Sequence, residues 1–321
     1  MLIKDLCTLS NLEADEIRNQ LVNSYTEQSS FSTSSVYAYV RDTYSNDVLF
    51  SAEGFICVEK NEIKAFLILG ESLENITGEI EKHIVELEAS SDYQVNELVQ
   101  KAILFSQDKG SNLYFELNHN NEQQKRIKEV LTRLKFIPSY SILRTKVEKD
   151  SNNINCCFMF STDLDREFAH QCLVDGFINT YGNNMYFDLD KAKKYVHNKY
   201  QILNTNNRLS FIGKVDGNYA AHGLVEIFCT DNNQLEARLV DIYVIKEYKK
   251  LGISTQMWRY IKNYLVRKGV KYAEGTLISR VSEEPEKLVK GLHYEGWWID
   301  RTVYIKPYEN RNDASVTNDF I

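Results

Sequence analysis

The segment Leu239–Lys268, LVDIYVIKEYKKLGISTQMWRYIKNYLVRK, is the part of the sequence that decides the fold. It begins with a β-prone apolar run that one acid, Asp241, interrupts, and such a run predicts a largely buried strand. Apolar residues then recur at helical spacing, at Ile253, Met257, Trp258, Ile261, Tyr264 and Leu265. Lys268 and Gly269 follow as the expected last turn and stop of a helix. The segment therefore predicts a strand, a short charged turn and an amphipathic helix.

The turn between the predicted strand and helix contains Lys249, Lys250 and Gly252. The first N–H groups of a helix have no partner within the helix, and they lie at the positive end of its dipole. A helix that begins directly after such a turn is therefore a ready site for an anion. Gly252 lets a ligand approach the backbone because it has no Cβ, while the two lysines add charge suited to a diphosphate. A turn that needs the glycine only for its own geometry is the simpler alternative.

The segment Tyr248–Ser254, YKKLGIS, with Val244 five residues before Lys249, resembles the acyl-CoA loop of the GNAT superfamily of N-acetyltransferases. The usual form of that loop is Arg/Gln-x-x-Gly-x-Gly/Ala. Two positions depart from it, because Lys249 replaces Arg or Gln and Ser254 replaces the second small residue. The resemblance covers residues 155–306, and it implies an acetyltransferase that uses acetyl-CoA as co-substrate.

The resemblance also implies which residues bind acetyl-CoA. In that picture the backbone at the end of the central strand pairs with the pantetheine arm as an extra strand would, and the loop takes the pyrophosphate through N–H groups and hydroxyls. The implied strand residues are Tyr243, Val244 and Ile245, and the implied loop residues are Lys249, Lys250, Leu251, Gly252, Ile253, Ser254 and Thr255.

Asp241 is the first candidate for the group that removes a proton from an amine. A carboxylate within an apolar strand must be solvated, paired or functional, and many GNAT enzymes carry an acid at the matching position. A structural carboxylate that caps a nearby backbone group or pairs with Arg238 is an equal alternative. Glu226 and Glu236, on neighbouring strands, are weaker catalytic candidates, and we expect both of them to face solvent.

Tyr294 is the candidate general acid for the departing thiolate. The family often uses a tyrosine four residues before the glycine of a Tyr-x-x-x-Gly-Phe segment, and here that frame ends at Gly296–Trp297 with Leu292 in the tyrosine position. On a helix, Tyr294 faces about 200° away from Leu292. Protonation by water is the alternative, because the CoA thiol is not a poor leaving group at neutral pH.

Length and composition set the class of protein. A chain of 321 residues with 43% hydrophobic and 26% charged residues is ordinary for a soluble protein of about two domains. No apolar run approaches the ~20 residues of a membrane-spanning helix, and residues 1–5 do not begin a signal sequence, so we expect a cytoplasmic protein with no membrane partner. The formal net charge of −7 argues against nucleic acid as a partner. We expect a monomer or a homodimer.

Cysteines and histidines show no metal-binding pattern. The six cysteines contain no C-x-x-C pair and stand mostly among apolar neighbours, which predicts buried free thiols. The six histidines contain no H-x-x-x-H spacing, and we therefore expect no bound metal. Cys229 is the one cysteine to test as a nucleophile, and we expect it to be inert.

The order of the predicted elements occurs twice, as a tandem repeat of one unit. Lys109–Gly110 stands 159 residues before Lys268–Gly269, so the later part of each round stays in register. The polar, turn-prone residues at 150–153 mark the boundary between the rounds. The sequence therefore predicts two domains, residues 1–150 and 151–321.

The two predicted domains differ at the loop. The offset of 159 residues places the acyl-CoA loop onto Ser90–Val95, SSDYQV, which has no glycine or basic residue and contains Asp92. The first domain therefore resembles a degenerate GNAT copy without a cofactor loop, in a structural role or as a wall of the substrate cleft. The expected fold class is α/β (α+β), with two tandem GNAT-like domains, each a mixed, mostly antiparallel sheet flanked by helices.

The predicted function is transfer of an acetyl group from acetyl-CoA to a primary amine of a small molecule, by direct attack in a ternary complex. A non-catalytic acyl-CoA-binding or scaffold module is the first alternative, and Leu292 favours it. The second is the tandem GNAT-like architecture that uses aminoacyl-tRNA to build peptidoglycan bridges, against which the acidic charge argues. The sequence does not identify the amine, although Tyr181, Tyr186 and Phe187 are candidates to line its pocket.

Overall fold

The computed structural model describes residues 1–28, 33–73, 80–119, 122–150, 156–181, 188–230, 233–278 and 296–308. Two compact units make up the chain. The first contains the described parts of 1–73, 80–138 and 303–308, and the second contains those of 139–302.

The first unit is a sheet of mostly antiparallel strands with helices on it. Its elements are β1 (Leu2–Asp5), α1 (Asn11–Gln28), α2 (Thr33–Thr43), α3 (Asn46–Ser51), β2 (Glu53–Glu59), β3 (Glu62–Leu73), β4 (Ile80–Ala89), α4 (Asp92–Asp108), β5 (Asn112–Asn118) and α5 (Glu122–Arg133). The strand order is β1-β2-β3-β4-β5, and only the β4–β5 pair is parallel.

Two hydrophobic clusters hold the first unit together. One joins α4 and α5 to strands β2 to β5, and the other joins α1, α2 and α3 to β2 and β3. A two-residue turn with positive φ, Lys60–Asn61, connects β2 and β3. The Ser10 hydroxyl accepts from the Glu13 amide while the Glu13 carboxylate accepts from Ser10, which fixes the start of α1.

The second unit has the same architecture. Its elements are β6 (Ile137–Lys146), β7 (Cys157–Phe160), α6 (Arg166–Tyr181), α7 (Leu189–Lys199), β8 (Arg208–Val215), β9 (Asn218–Cys229), β10 (Leu235–Val244), α8 (Ile253–Arg267), β11 (Tyr272–Ile278) and β12 (Trp298–Lys306). Within this unit the strand order is β12-β6-β11-β10-β9-β8-β7, and the β10–β11 pair is parallel. Strands β8 and β9 form an antiparallel hairpin, with Asp216 and Gly217 at positive φ in its turn.

Helices cover both faces of the strands in the second unit. The apolar side of α8, predicted from the 253–265 spacing, is buried in a cluster with β8, β9, β10 and β11. The other cluster joins α6 and α7 to the opposite face, where Leu224 of β9 and Val240 of β10 lie. The face of β10 that α6 covers also carries the polar residues of the candidate site, which are described below.

Three elements of the first unit were not predicted from the sequence. These are β1, α2 and α3, and each is short or polar in its sequence pattern. Val36 and Val40 give α2 only a narrow apolar side, yet both are buried in the cluster with α1. Tertiary contact therefore decides the structure of α2 more than local sequence does. The sequence also predicts a helix over 284–294, which would contain Tyr294, and these residues lie outside the described ones.

The last strand of each predicted repeat lies wholly or partly in the other compact unit. From Ser139 onward, β6 is part of the second unit, while the end of β12, from Val303, is part of the first. The two units therefore differ from the predicted domains, 1–150 and 151–321, in these strands. The boundary near residue 150 stays a prediction about the sequence repeat. The helices that the structure describes are too short or too polar to span a lipid bilayer.

Candidate functional site

A β-bulge interrupts the central strand of the second unit. Leu239 of β10 lies opposite Val225 of β9, but Asp241 lies opposite the next residue, Leu224, so Val240 is an extra residue in β10. Val240 packs in the cluster under α6, while Leu239 packs in the cluster under α8. Asp241 also faces α6, because its carboxylate lies against that helix. The bulge thus places an acid on the face that regular alternation would have given to an apolar residue.

At the same bulge, β10 separates from β11. The parallel pairing runs from Glu236–Tyr272 to Leu239–Gly275, and no later pair is recorded in the described part of these strands. Beyond that point β11 pairs with β6 as far as Ile278, and β10 stays paired with β9 as far as Val244. One edge of β10 after Leu239 therefore has backbone groups that no strand of the described residues satisfies.

The loop after β10 leads directly to the open end of α8. A short 3-10 turn, Lys246–Tyr248, follows β10, and then Lys250 and Gly252 both have positive φ, +67° and +70°. Gly252 is the N-cap of α8, no side chain caps the helix, and its first turn has no acidic residue. Lys249 and Lys250 are exposed beside it. This end of α8 therefore combines unpaired N–H groups with two cationic side chains, which suits a diphosphate.

The Asp241 carboxylate is desolvated. Burial raises its pKa from 3.8 to about 7, although a hydrogen bond from the Ile242 amide acts in the opposite direction. Its Oδ2 atom is buried and has no hydrogen-bond partner among the described residues. Arg238, the predicted alternative partner, donates instead to Glu274 at 2.7 Å. The predicted alternative, in which Asp241 pairs with Arg238, is therefore wrong. The hydrogen bond from the Ile242 amide satisfies only part of the Asp241 carboxylate.

Helix α6 brings a second acid to the same place. The pKa of Tyr243 is raised by burial and by Asp175, to which the Tyr243 hydroxyl donates a hydrogen bond. Gln171 of α6 also donates to Asp175, at 2.7 Å. On the other side, the Lys249 ammonium lies 5.8 Å from the centre of the Tyr243 ring. Tyr243 thus connects the acidic face under α6 with the basic loop, and Asp175 is a site residue that sequence reasoning missed.

The other two glutamates are paired. Glu226, a predicted catalytic candidate, accepts from Nε and Nη2 of Arg208 at 3.2 and 3.1 Å. Glu236 is buried and forms an ion pair with Arg144, so the expectation that it faces solvent is wrong. Both glutamates are therefore held by arginines, whereas Asp241 is not.

Burial keeps the Cys172 thiol and the His222 imidazole, both near the site, in their neutral forms. Cys172 of α6 is buried near Asp241 and Asp175, and burial together with these charges raises the pKa of its thiol to about 12. Cys229 lies opposite Leu235, about 20 Å along β10 from Asp241. His222 of β9 is fully buried, burial lowers its pKa to about 3, and its Nε2 contacts the Ser210 hydroxyl at 2.9 Å. A thiolate or an imidazolium is therefore not favoured at this site near pH 7.

Several predicted residues lie outside the described residues. These are Tyr294 and Leu292, two of the candidates to line the amine pocket, Tyr186 and Phe187, and the side chain of the third, Tyr181. In the described ranges no three His, Cys, Asp or Glu side chains form a group suited to a metal ion.

The first unit has the same bulge with a different outcome. In β4 the extra residue is Val85, and the acid after it, Glu86, accepts hydrogen bonds from the hydroxyls of Tyr25 and Tyr44. Burial and the Glu86 carboxylate raise the pKa of both tyrosines above the ordinary value. The carboxylate that corresponds to that of Asp241 therefore accepts hydrogen bonds from two side chains of its own unit.

The helix of the first unit that corresponds to α8 is α4, and its N-terminus is capped. Ser91 caps α4 by accepting from the Gln94 amide at 3.3 Å, and Asp92 stands in the first turn. The Gln94 side chain accepts from the Ser90 amide at 3.1 Å. Side chains therefore occupy the groups that an anion would use at the α4 end.

No protein-family model and no curated protein matches this sequence. Solved structures do. A GCN5-related N-acetyltransferase from Sphaerobacter thermophilus is 11% identical with a TM-score of 0.56, and the match covers 96% of each chain. A glucosamine N-acetyltransferase region in a fungal multi-domain GH3 β-N-acetylglucosaminidase is 10% identical with a TM-score of 0.54, over 95% of this chain and 38% of that one. A tandem GNAT protein from the clavulanic acid biosynthesis pathway is 9% identical with a TM-score of 0.49, over 96% and 99%.

The first two similarities extend over both units of the chain. At such low identity they speak for the fold and leave the activity to be argued from the site. With its bulged, splayed central strand and its open helix end, the chain has the fold of the GCN5-related N-acetyltransferases, as the sequence predicted.

Proposed function

We propose that this protein is an acetyl-CoA-dependent N-acetyltransferase that acts on a primary amine of a small molecule. The observation that carries the proposal is the uncapped N-terminus of α8 beside Lys249 and Lys250, at the end of a strand with an open edge. An anion site and an unpaired strand edge fit the two halves of one ligand, a diphosphate and an extended amide-containing arm. Acetyl-CoA has both.

The residues proposed to bind acetyl-CoA follow that division. The backbone of Tyr243, Val244 and Ile245 holds the pantetheine arm along the open edge of β10. The diphosphate is bound by Lys249, Lys250 and Leu251, by Gly252, and by the amides and hydroxyls of the first helical turn, Ile253, Ser254 and Thr255. Placed this way, the thioester lies at the bulge, next to Asp241.

Asp241 is the proposed proton acceptor. An ammonium must lose a proton before its nitrogen can attack, and a base is most effective when its pKa is near the working pH. The Asp241 pKa of about 7 meets this condition, whereas an exposed aspartate near 3.8 is a base weaker by about three orders of magnitude. Glu226 remains the second candidate, although its pairing with Arg208 opposes proton transfer to it.

The proposed reaction is a direct attack. The amine nitrogen forms a bond to the thioester carbon, the carbon–sulfur bond breaks, and the amine proton passes to Asp241. The CoA thiolate leaves and takes a proton from Tyr294 or from water. The raised pKa of the Cys172 thiol argues against a covalent acyl-enzyme, because the thiol lacks the thiolate form that such a step needs.

The first unit is proposed to have no catalytic role. Glu86 is closed by Tyr25 and Tyr44, and the N-terminus of α4 is capped by Ser91. These contacts support the interpretation of a degenerate first copy, residues 1–150 in the sequence repeat, and an active second copy, 151–321. A cytoplasmic location, and a monomer or homodimer without nucleic-acid or membrane partners, remain predictions that accompany this function.

The anion site is tested by Gly252→Glu, which puts a carboxylate at the proposed diphosphate position. Gly269→Glu is the matched control. Gly269 has a similar φ, +78°, and in neither glycine would an added Cβ meet an atom within 4 Å. It lies beyond the other end of the same helix, which is about 22 Å long. We expect acetyl-CoA affinity in calorimetry to fall ~10-fold or more in Gly252→Glu and to stay within ~2-fold of wild type in Gly269→Glu.

The chemistry is tested by incubating the full chain with acetyl-CoA and a panel of amines and measuring the free thiol released. Equal acetyl-CoA affinity in wild type and Gly252→Glu contradicts the site. Tight acetyl-CoA binding without thiol release for any amine contradicts the enzymatic function and leaves the acyl-CoA-binding module.

A further inference from the structure

Helix α6 contains a glycine in its interior, Gly176, although glycine is the poorest helix former after proline. The reason lies in what the helix covers. A Cβ atom placed on Gly176 would lie 2.9 Å from Oδ2 and 3.6 Å from Cγ of Asp241. Contacts below 3.0 Å are essentially absent for real Cβ atoms, so any side chain at this position must displace the carboxylate or the helix.

The helix is not free to move away. Ala169, Leu173 and Val174 of α6 are buried in one cluster with Val196 and Tyr200. The strand under the helix is also fixed, because β10 is paired with β9 on both sides of the bulge. The flexible partner in this contact is the Asp241 carboxylate itself.

We propose that Gly176 is a positioning residue: its missing side chain lets α6 close over Oδ2 of Asp241, excludes water from that atom and so makes Asp241 a proton acceptor at neutral pH. This inference rests on the proposed function of Asp241. In this proposal Gly176 of α6 determines whether Asp241 of β10 can accept a proton.

The groups that face Asp241 do not provide another cause. On α6 these are Cys172, whose thiol stays protonated, and Asp175, which is engaged by Gln171 and Tyr243. On β9, His222 is neutral because burial lowers its pKa. Burial is the cause that raises the Asp241 pKa, and the contact with Gly176 is part of that burial.

The direct test is a carbon-13 NMR titration of aspartate carboxyls in the full chain without ligand. Asp241→Asn assigns the signal. We expect the Asp241 carboxyl of wild type to titrate near pH 7, and that of Gly176→Ala at least one pH unit lower, because an added methyl group moves the carboxylate toward water. Ile178→Ala, a neighbouring substitution at an exposed position of α6, is the control and should titrate as wild type. An unchanged titration in Gly176→Ala overturns the proposal.

A second comparison keeps the test decisive if Gly176→Ala does not fold. The clash is with the carboxylate, so Asp241→Ala should remove it, and the double variant Gly176→Ala with Asp241→Ala should fold and melt at or above the temperature of Asp241→Ala alone. A double variant that is as damaged as Gly176→Ala places the clash elsewhere and overturns the proposal. Both readings need no substrate. A lack of acetyl-CoA binding or thiol release therefore contradicts the proposed function separately, while the NMR titration decides the role of Gly176.

Discussion

Burial changes the chemistry of Asp241. The Ile242 amide stabilises its charged form, but the loss of water around Oδ2 is the larger effect, and the pKa rises from 3.8 to about 7. Glu86, in the corresponding position of the first unit, has Tyr25 and Tyr44 as donors. The two acids differ in how far the fold satisfies them: two tyrosine hydroxyls donate to Glu86, whereas Oδ2 of Asp241 is buried without a donor among the described residues. The less compensated acid, Asp241, is the candidate for chemistry.

The raised pKa predicts how stability depends on pH. Between pH 3.8 and about 7 the native state keeps a proton on Asp241 that the unfolded chain has released, so the free energy of unfolding falls as pH rises through this range. From pH 5 to pH 8 the loss from this group is on the order of 2–3 kcal/mol. Asp241→Asn has no carboxyl at this position. In urea unfolding, the free energy of unfolding of wild type should therefore fall by this amount, relative to that of Asp241→Asn, between pH 5 and pH 8. Curves that stay parallel from pH 5 to pH 8 contradict a buried, titrating Asp241.

Part of the site could be predicted from the sequence at this scale. An acid in an apolar run, Asp241, and a glycine after two lysines, Gly252, are local signals, and local sequence is enough to find them. The partners of Asp241 are not local. Strict alternation would place it on the same face as Leu239, but the bulge at Val240 turns it toward α6. Asp175 and Gly176 reach the site only through helix packing, which no spacing in the sequence indicates.

The elements that most distinguish the two units are the connections between central strand and helix. In the first unit, residues 90–91 separate β4 from α4, while in the second, residues 245–252 separate β10 from α8. A constant offset of 159 residues matched the acyl-CoA loop to Ser90–Val95, but four of those six residues are the first turn of α4. The loop is therefore shorter in the first unit as well as different in composition, and an alignment without gaps could not reveal this.

The open edge of β10 predicts a local change in hydrogen exchange. If the pantetheine arm pairs with this edge, acetyl-CoA should slow amide exchange in peptides that cover residues 241–245, by ~10-fold or more at saturation. The first unit provides the control, since β4 leaves β5 in the same way after Ile84, and peptides covering residues 86–89 should not change. The measurement is hydrogen exchange by mass spectrometry with and without acetyl-CoA. Protection in β4, or none in β10, contradicts the proposed position of the co-substrate.

At the scale of the whole molecule, the compact units differ from the sequence repeats, because β6 from Ser139 onward belongs to the second unit and the end of β12 to the first. Leu143 and Val147 precede the predicted boundary at 150, yet both are buried in the core of the second unit. All seven residues of β11 pair with β6. The order of elements within each repeat was predictable, because each strand and helix has its own pattern. The unit to which β6 belongs was not predictable, because strand pairing is decided by contacts between distant residues.

The assignment of β6 to the second unit predicts that two fragments of that unit differ in stability. The fragment 151–321 lacks β6, so the core loses Leu143 and Val147, each worth about 1.5–3 kcal/mol of burial, and the buried Glu236 loses its partner Arg144. These losses approach the 5–15 kcal/mol by which domains are typically stable. We expect the fragment 137–321, which retains β6, to unfold cooperatively by circular dichroism, and 151–321 to show a much lower midpoint or no transition. Equal urea midpoints for the two fragments would mean that β6 does not belong to the folding unit of the second half.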